Sequence, residues 1–140
     1  MKEKTQVSSA ASAGQGMCFG CGRKNPFGLR LKFRQDGRGV RTEFTPGEYY
    51  QSWANIIHGG IITAILDEAM GHATLMSGNF GFLTASIQIN LKRPAYVNSK
   101  LIVNAEVVRN QRRKLEVAGS LSLPDGTLVA DGKAVQIIPG

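Results

Sequence analysis

Two glycines, Gly59 and Gly60, follow His58 directly before a long apolar stretch, and an acid, Asp67, stands nine residues after the histidine. Glycines at the start of a helix leave backbone N–H groups uncovered by side chains, with the positive end of the helix dipole behind them. A carbonyl oxygen aimed at that point would be polarised as negative charge develops on it. An acid inside a mostly apolar helix is costly to bury, and it is tolerated chiefly where it has a task or a partner. Asp67 is therefore the candidate base or nucleophile, and the His58-Gly59-Gly60 turn is the candidate holder of the electrophile.

Glu68 follows Asp67 but lies along a different line of the helix, with Ala64 and His72, where a carboxylate and an imidazole four residues apart can meet. Cys18 and Cys21 form a C-x-x-C. Structural zinc sites take four ligands and the chain has no second cysteine pair, so the expectation is reduced thiols in a tight turn and no metal. Trp53, Tyr49, Tyr50 and the Phe80-Gly81-Phe82 loop are candidates for an apolar ligand pocket or for ordinary packing. No G-x-S-x-G elbow, phosphate-binding G-x-x-x-x-G-K-[ST], G-x-G-x-x-G or H-E-x-x-H is present, which removes serine hydrolases, P-loop NTPases, Rossmann enzymes and zincins as leading ideas.

These residues need elements to position them. The run 61–76 lacks proline and is apolar around most of its circumference, which predicts a buried helix. Gly60, Thr63, Asp67, Gly71 and Thr74 share its least apolar face. Strands are expected at 29–34 and 40–45, joined by a glycine-containing hairpin turn, then at 83–93, 101–109, 115–123 and 127–138. In 83–93 the apolar Leu83, Ala85, Ile87, Ile89 and Leu91 alternate with Thr84, Ser86, Gln88, Asn90 and Lys92. One apolar helix with about six hairpin-linked strands is an α+β plan in which an antiparallel sheet must curl around the helix. Residues 1–16 read as a flexible or loosely docked tail, and 17–140 as one domain.

The chain has 140 residues, 17 Lys and Arg against 10 Asp and Glu, and a formal net charge of +7. That length suffices for one self-contained core. No apolar run approaches the roughly 20 residues of a membrane span, and the start lacks the apolar core of a secretory signal, so a cytoplasmic protein without a membrane partner is expected. The charge suits a polyanion, and few aromatics interleave with the basic residues, which argues against nucleic acid.

The segment from Gln51 through Asn55 and His58-Gly59-Gly60 to Leu66-Asp67-Glu68-Ala69-Met70-Gly71 resembles the signature of hotdog-fold acyl-CoA thioesterases of the phenylacetyl-CoA and hydroxybenzoyl-CoA type. Cys18-Phe19-Gly20-Cys21-Gly22 with Asn25-Pro26-Phe27-Gly28-Leu29 is similar to a subgroup of that superfamily. The resemblance implies a hotdog fold, hydrolysis of an acyl-CoA thioester to free acid and coenzyme A, and no cofactor beyond the coenzyme A of the substrate. It further implies that the Gly59 N–H, with Gly60, holds the carbonyl while His58 shapes the turn. Asp67 would act across a homodimer interface, in dimers able to pair into tetramers. Gln51 would be the polar residue before the histidine, and Thr84 would help position water. Asn55 stands where many relatives carry glycine. Asn55, Trp53, Glu68 and Phe82 are candidate substrate contacts, and Arg93, Arg112, Arg113 and Lys114 are candidates for the coenzyme A phosphates. A hotdog hydratase or dehydratase and a non-catalytic acyl-CoA binding module are the alternatives.

Overall fold

A computed structural model describes residues 13–140. The expected tail falls mostly outside the described residues; its last part, 13–16, is docked, because Gly14 and Gly16 carbonyls accept the N–H groups of Arg23 and Lys24 at 2.9 and 3.0 Å.

Strands β1 (Arg34–Asp36) and β2 (Gly39–Phe44) form the first hairpin, and the single long helix α1 spans Gly59–Met76. It is followed by β3 (Leu83–Leu91), β4 (Leu101–Gln111), β5 (Lys114–Ser122) and β6 (Leu128–Ile137). The six strands make one antiparallel sheet in the order β1-β2-β4-β5-β6-β3. The helix packs against β2, β3, β4, β5 and β6, so the sheet wraps it as the hotdog fold requires. Ile62, Ile65, Leu66, Ala69, Met70 and Ala73 of the helix are buried against Val40, Val103, Leu115, Val117, Leu121 and Ala134 of the sheet. Among the described residues no helix is long and apolar enough to cross a membrane.

The first expected strand is shorter than its pattern suggested. Arg30 takes a left-handed φ of 56°, and the N–H groups of Leu29 and Leu31 go to the carbonyls of Phe19 and Gly20. Leu29 and Leu31 are buried all the same, as part of the hydrophobic core, with their backbone held by the cysteine loop rather than by a neighbouring strand. The helix starts two residues earlier than expected, since His58 caps it through a side-chain bond from the Gly60 N–H.

Strand β3 departs from its alternation at one point. The pairing with β6 slips between Thr84 and Ser86, leaving Ala85 as the extra residue of a bulge. Thr84 then lies opposite Gln136, and Ile87, Ile89 and Leu91 lie opposite Ala134, Gly132 and Ala130, all buried positions of β6. The bulge therefore turns Thr84 to the helix side of the sheet together with the isoleucines, and removes Leu83 and Ala85 from that side. Because β3 is an edge strand, Leu83, Ile87 and Leu91 stay 66%, 38% and 57% exposed.

Candidate active site

The loop before the helix is held by backbone bonds from Ile57 N–H to the Ala95 carbonyl and from His58 N–H to the Tyr50 carbonyl, both at 2.8 Å. Within it Asn55 adopts φ 67°, a left-handed conformation that asparagine tolerates better than most residues and that glycine would supply freely. The Gln51 side chain spans the same loop, accepting from Asn55 N–H at 2.8 Å and donating to the Glu48 carbonyl at 2.9 Å. Gln51 thus holds the loop's shape. The Gly60 N–H donates to His58 Nδ1 at 2.8 Å, whereas the Gly59 N–H finds no acceptor among the described residues. The helix start consequently offers one uncommitted donor, at Gly59, beside which Leu91 packs closely.

Asp67 sits two turns further along the helix. Thr84 Oγ1 donates to its Oδ1 at 3.1 Å, a contact that exists because the bulge aims Thr84 inward. Partial burial lifts the Asp67 carboxyl above the ordinary aspartate range, the Thr84 hydrogen bond opposes that rise, and the neighbouring Glu68 charge adds to it. Asp67 and Thr84 line a cavity of about 720 Å³ together with Glu68, Gly71, Phe82 and the segment from Ala13 to Cys18. Phe82 lies against Gly71, where a methyl group would crowd its ring.

The other candidate substrate contacts are spread more widely. Trp53 is 82% exposed and Tyr49 90%, and neither lines the Asp67 cavity. Lys114 pairs with Ile137, which in turn pairs with Leu83, so the Arg112-Arg113-Lys114 turn lies at the Thr84 end of the sheet, two strands away. Arg93 follows β3 at its opposite, Gly59 end and donates to the Leu128 carbonyl at 3.3 Å. Lys24 lines the Asp67 cavity. Arg23, Arg30 and Lys32 line a separate hollow of about 340 Å³ beside Phe33 and His72.

Glu68 faces a different neighbourhood from Asp67. His72 Nε2 lies 3.2 Å from its Oε2, and the His72 ring stacks on Phe33 with centroids 4.5 Å apart. The Cys18 sulfur lies 3.5 and 3.6 Å from the two carboxylate oxygens. Burial would raise the Glu68 carboxyl, but hydrogen bonds from His72 and the two thiol side chains outweigh it, and the group ends below the ordinary glutamate range. Cys18 is drawn down to about 6, chiefly by a hydrogen bond from the Cys21 side chain and further by backbone N–H groups of Cys21 and Gly20, with burial opposing. The same bond, with burial and the Glu68 charge, holds the Cys21 thiol well above its usual value. The sequence showed the Glu68–His72 pair through its spacing, but carried no sign that the cysteine loop, some fifty positions earlier, closes on that pair.

The Thioesterase superfamily model matches residues 54–130. Bovine acyl-coenzyme A thioesterase THEM4 is 28% identical over 95 residues, covering 67% of this chain and 38% of that protein. The chain thus spans well under two thirds of this curated relative. A thioesterase superfamily protein of known crystal structure superposes with a TM-score of 0.85 at 20% identity, covering 98% of this chain and 68% of the other. A Streptococcus mutans protein bound to acetyl CoA superposes with a TM-score of 0.72 at 18% identity, covering 79% and 89% of the two chains. Both superpositions share the fold described above.

Proposed function

The chain belongs to the thioesterase superfamily, and from that premise we propose that it hydrolyses an acyl-CoA thioester to the free acid and coenzyme A. The observation that carries this reading is Asp67, a carboxylate of raised pKa held by Thr84 at the wall of a cavity large enough for an acyl group. The Gly59 N–H at the helix start receives the thioester oxygen as it becomes an oxyanion. Asp67 takes a proton from water as the water oxygen bonds to the carbonyl carbon. Collapse of the tetrahedral intermediate breaks the C–S bond, and the departing thiolate recovers the proton from Asp67. No metal takes part in these steps.

Asp67 stands eight positions beyond Gly59 on the helix, a rise of about 12 Å, so one chain cannot place its own Asp67 on a carbonyl held at its own Gly59. The reading therefore requires a homodimer in which each site combines Gly59 of one protomer with Asp67 of its partner. The edge strand β3, with Ile87 and Leu91 exposed, supplies an apolar, hydrogen-bonding surface for that pairing. Pairing of this kind brings the partner's basic turn toward the Gly59 end, where Arg112, Arg113 and Lys114 join Arg93 around the phosphates of coenzyme A. The acetyl CoA bound by the Streptococcus mutans protein supports that ligand class. Reduced Cys18 and Cys21 fit a cytoplasmic setting.

The test is thiol release by the purified chain from a panel of short, medium and aromatic acyl-CoAs, run beside Asp67→Asn. Turnover of at least one class, lost in Asp67→Asn while the dimer persists, is the expected result. Acyl-CoAs that bind and remain intact would overturn hydrolysis in favour of a binding module, and formation of a double bond by loss of water, or its loss by hydration, would indicate a dehydratase or hydratase.

A further inference from the structure

Cys18, Cys21 and Glu68 present two sulfurs and a carboxylate oxygen that all lie within 4.8 Å of one another, although 47 positions separate Cys21 from Glu68 in the chain. In a tetrahedral zinc site with Zn–S near 2.3 Å and Zn–O near 2.1 Å, a sulfur and an oxygen ligand stand about 3.6 Å apart. The Cys18 sulfur stands 3.5 and 3.6 Å from the Glu68 oxygens. The Cys18–Glu68 separation is thus already that of a ligand pair, and the Cys21 sulfur lies within 4.8 Å of both.

Three further features prepare the site. The turn Cys18-Phe19-Gly20-Cys21-Gly22 is closed by the Gly22 N–H on the Cys18 carbonyl at 2.8 Å, so both sulfurs are offered from one tight loop. Any side chain at Gly20 would displace the Glu68 carboxylate from where it stands, and any at Gly22 would strike the backbone of Gly16 and Cys18, so the loop closes as it does only with glycine at 22, and glycine at 20 leaves Glu68 in place. Glu68 is oriented from behind by His72, 3.2 Å from its Oε2, and the two side chains are only 18% and 14% exposed. A ligating carboxylate held by an outer hydrogen-bond partner is the usual support of a metal site.

We propose that Cys18, Cys21 and Glu68 bind a divalent zinc ion, with His72 positioning the carboxylate and the fourth coordination place facing the cavity that Asp67 also lines. Two thiolates and one carboxylate suit zinc over the hard oxygen-seeking cations. Binding requires both cysteines as thiolates, and the thiol protons they carry are released to solvent. The ion ties the loop carrying residues 17–22 to the helix one residue beyond Asp67, and so fixes one wall of the cavity. This site is separate from the chemistry proposed for Asp67 and stands or falls without it.

The reduced, chelator-stripped full chain is titrated with Co²⁺, then competed with Zn²⁺. One Co²⁺ per chain, with thiolate-to-cobalt charge-transfer bands and the intense visible bands of a tetrahedral ion, displaced by Zn²⁺, is expected. Cys18→Ser and Glu68→Gln should each lose those bands, and His72→Ala should weaken binding about 10- to 100-fold. Asp67→Asn should bind as the unaltered chain does, which separates failure of this site from failure of the thioesterase reading. Should Cys18→Ser not fold, alkylation of the unaltered chain decides: Zn²⁺ should shield both thiols. A six-coordinate cobalt spectrum, binding unchanged in Glu68→Gln, or alkylation indifferent to Zn²⁺ would each overturn the proposal.

Discussion

Asp67 and Glu68 are consecutive acids on one helix, yet they live in opposite surroundings. Asp67 has one hydroxyl partner, Thr84, and its carboxyl is raised mainly by burial. Glu68 is gathered in by an imidazole and two thiol side chains, and its carboxyl is lowered in spite of burial. Helical geometry turns successive side chains by about 100°, which is enough to put one acid over the cavity and the other under the cysteine loop. The contrast teaches that a carboxylate left short of partners is available for proton transfer, while one fully partnered serves to hold structure or an ion.

The sharpest way to break this contrast is to neutralise each acid in turn. Asp67→Asn should lower kcat by about 10²- to 10⁴-fold, the usual worth of a general base, with KM little altered, whereas Glu68→Gln should leave kcat within about tenfold. A larger kcat loss in Glu68→Gln would reverse the two assignments. Stability should run the other way. Removing the Glu68 charge strands the buried side of His72 and the cysteine loop, at a cost of about 1–3 kcal/mol, read by urea unfolding of the chelated chain.

The pH dependence of stability sharpens the same point with opposite signs. The Asp67 carboxyl is raised in the folded chain, so the folded state binds the extra proton; stability falls as pH rises from the ordinary aspartate range through the raised value. Asp67→Asn should therefore have a higher Tm than the unaltered chain at neutral pH, and the gap should close below the ordinary aspartate range. Glu68 is lowered, so its contribution is present above the ordinary glutamate range and is lost as pH falls through the lowered value. Glu68→Gln should lose its deficit in Tm on acidification.

The smallest expected effect concerns Thr84. Its hydrogen bond holds the Asp67 carboxyl down against burial, so Thr84→Val should move the acidic limb of kcat/KM to higher pH. An acidic limb that stays in place would show that the limb does not report Asp67.

Much of the fold was legible. The helix from 61 onward and the five longer strands follow from apolar periodicity and turn residues, and His58-Gly59-Gly60 with Asp67 marks the two ends of the candidate site by spacing alone. Three features were not. The bulge at Ala85 is a slip between two strands, and alternation within 83–93 assigns Thr84 to the wrong side because period-two patterns assume an unbroken register. The shortening of β1 reflects backbone bonds from Leu29 and Leu31 to the cysteine loop, while their side chains enter the core in a pattern that mimics a strand. The commitment of Gly60 to His58 depends on a side-chain rotamer that residue types do not disclose.

By itself the sequence determined which groups are present and which share a helix face: periodicity is a local property, and local spacing decides that Asp67 and Glu68 diverge while Glu68 and His72 meet. Only the tertiary structure decided what each acid meets from outside the helix. Thr84 reaches Asp67 through a strand bulge, and Cys18 and Cys21 reach Glu68 through a loop closed on glycines. Such long-range contacts depend on how strands register and loops dock, and these are settled by packing of the whole chain, not by any window of its residues.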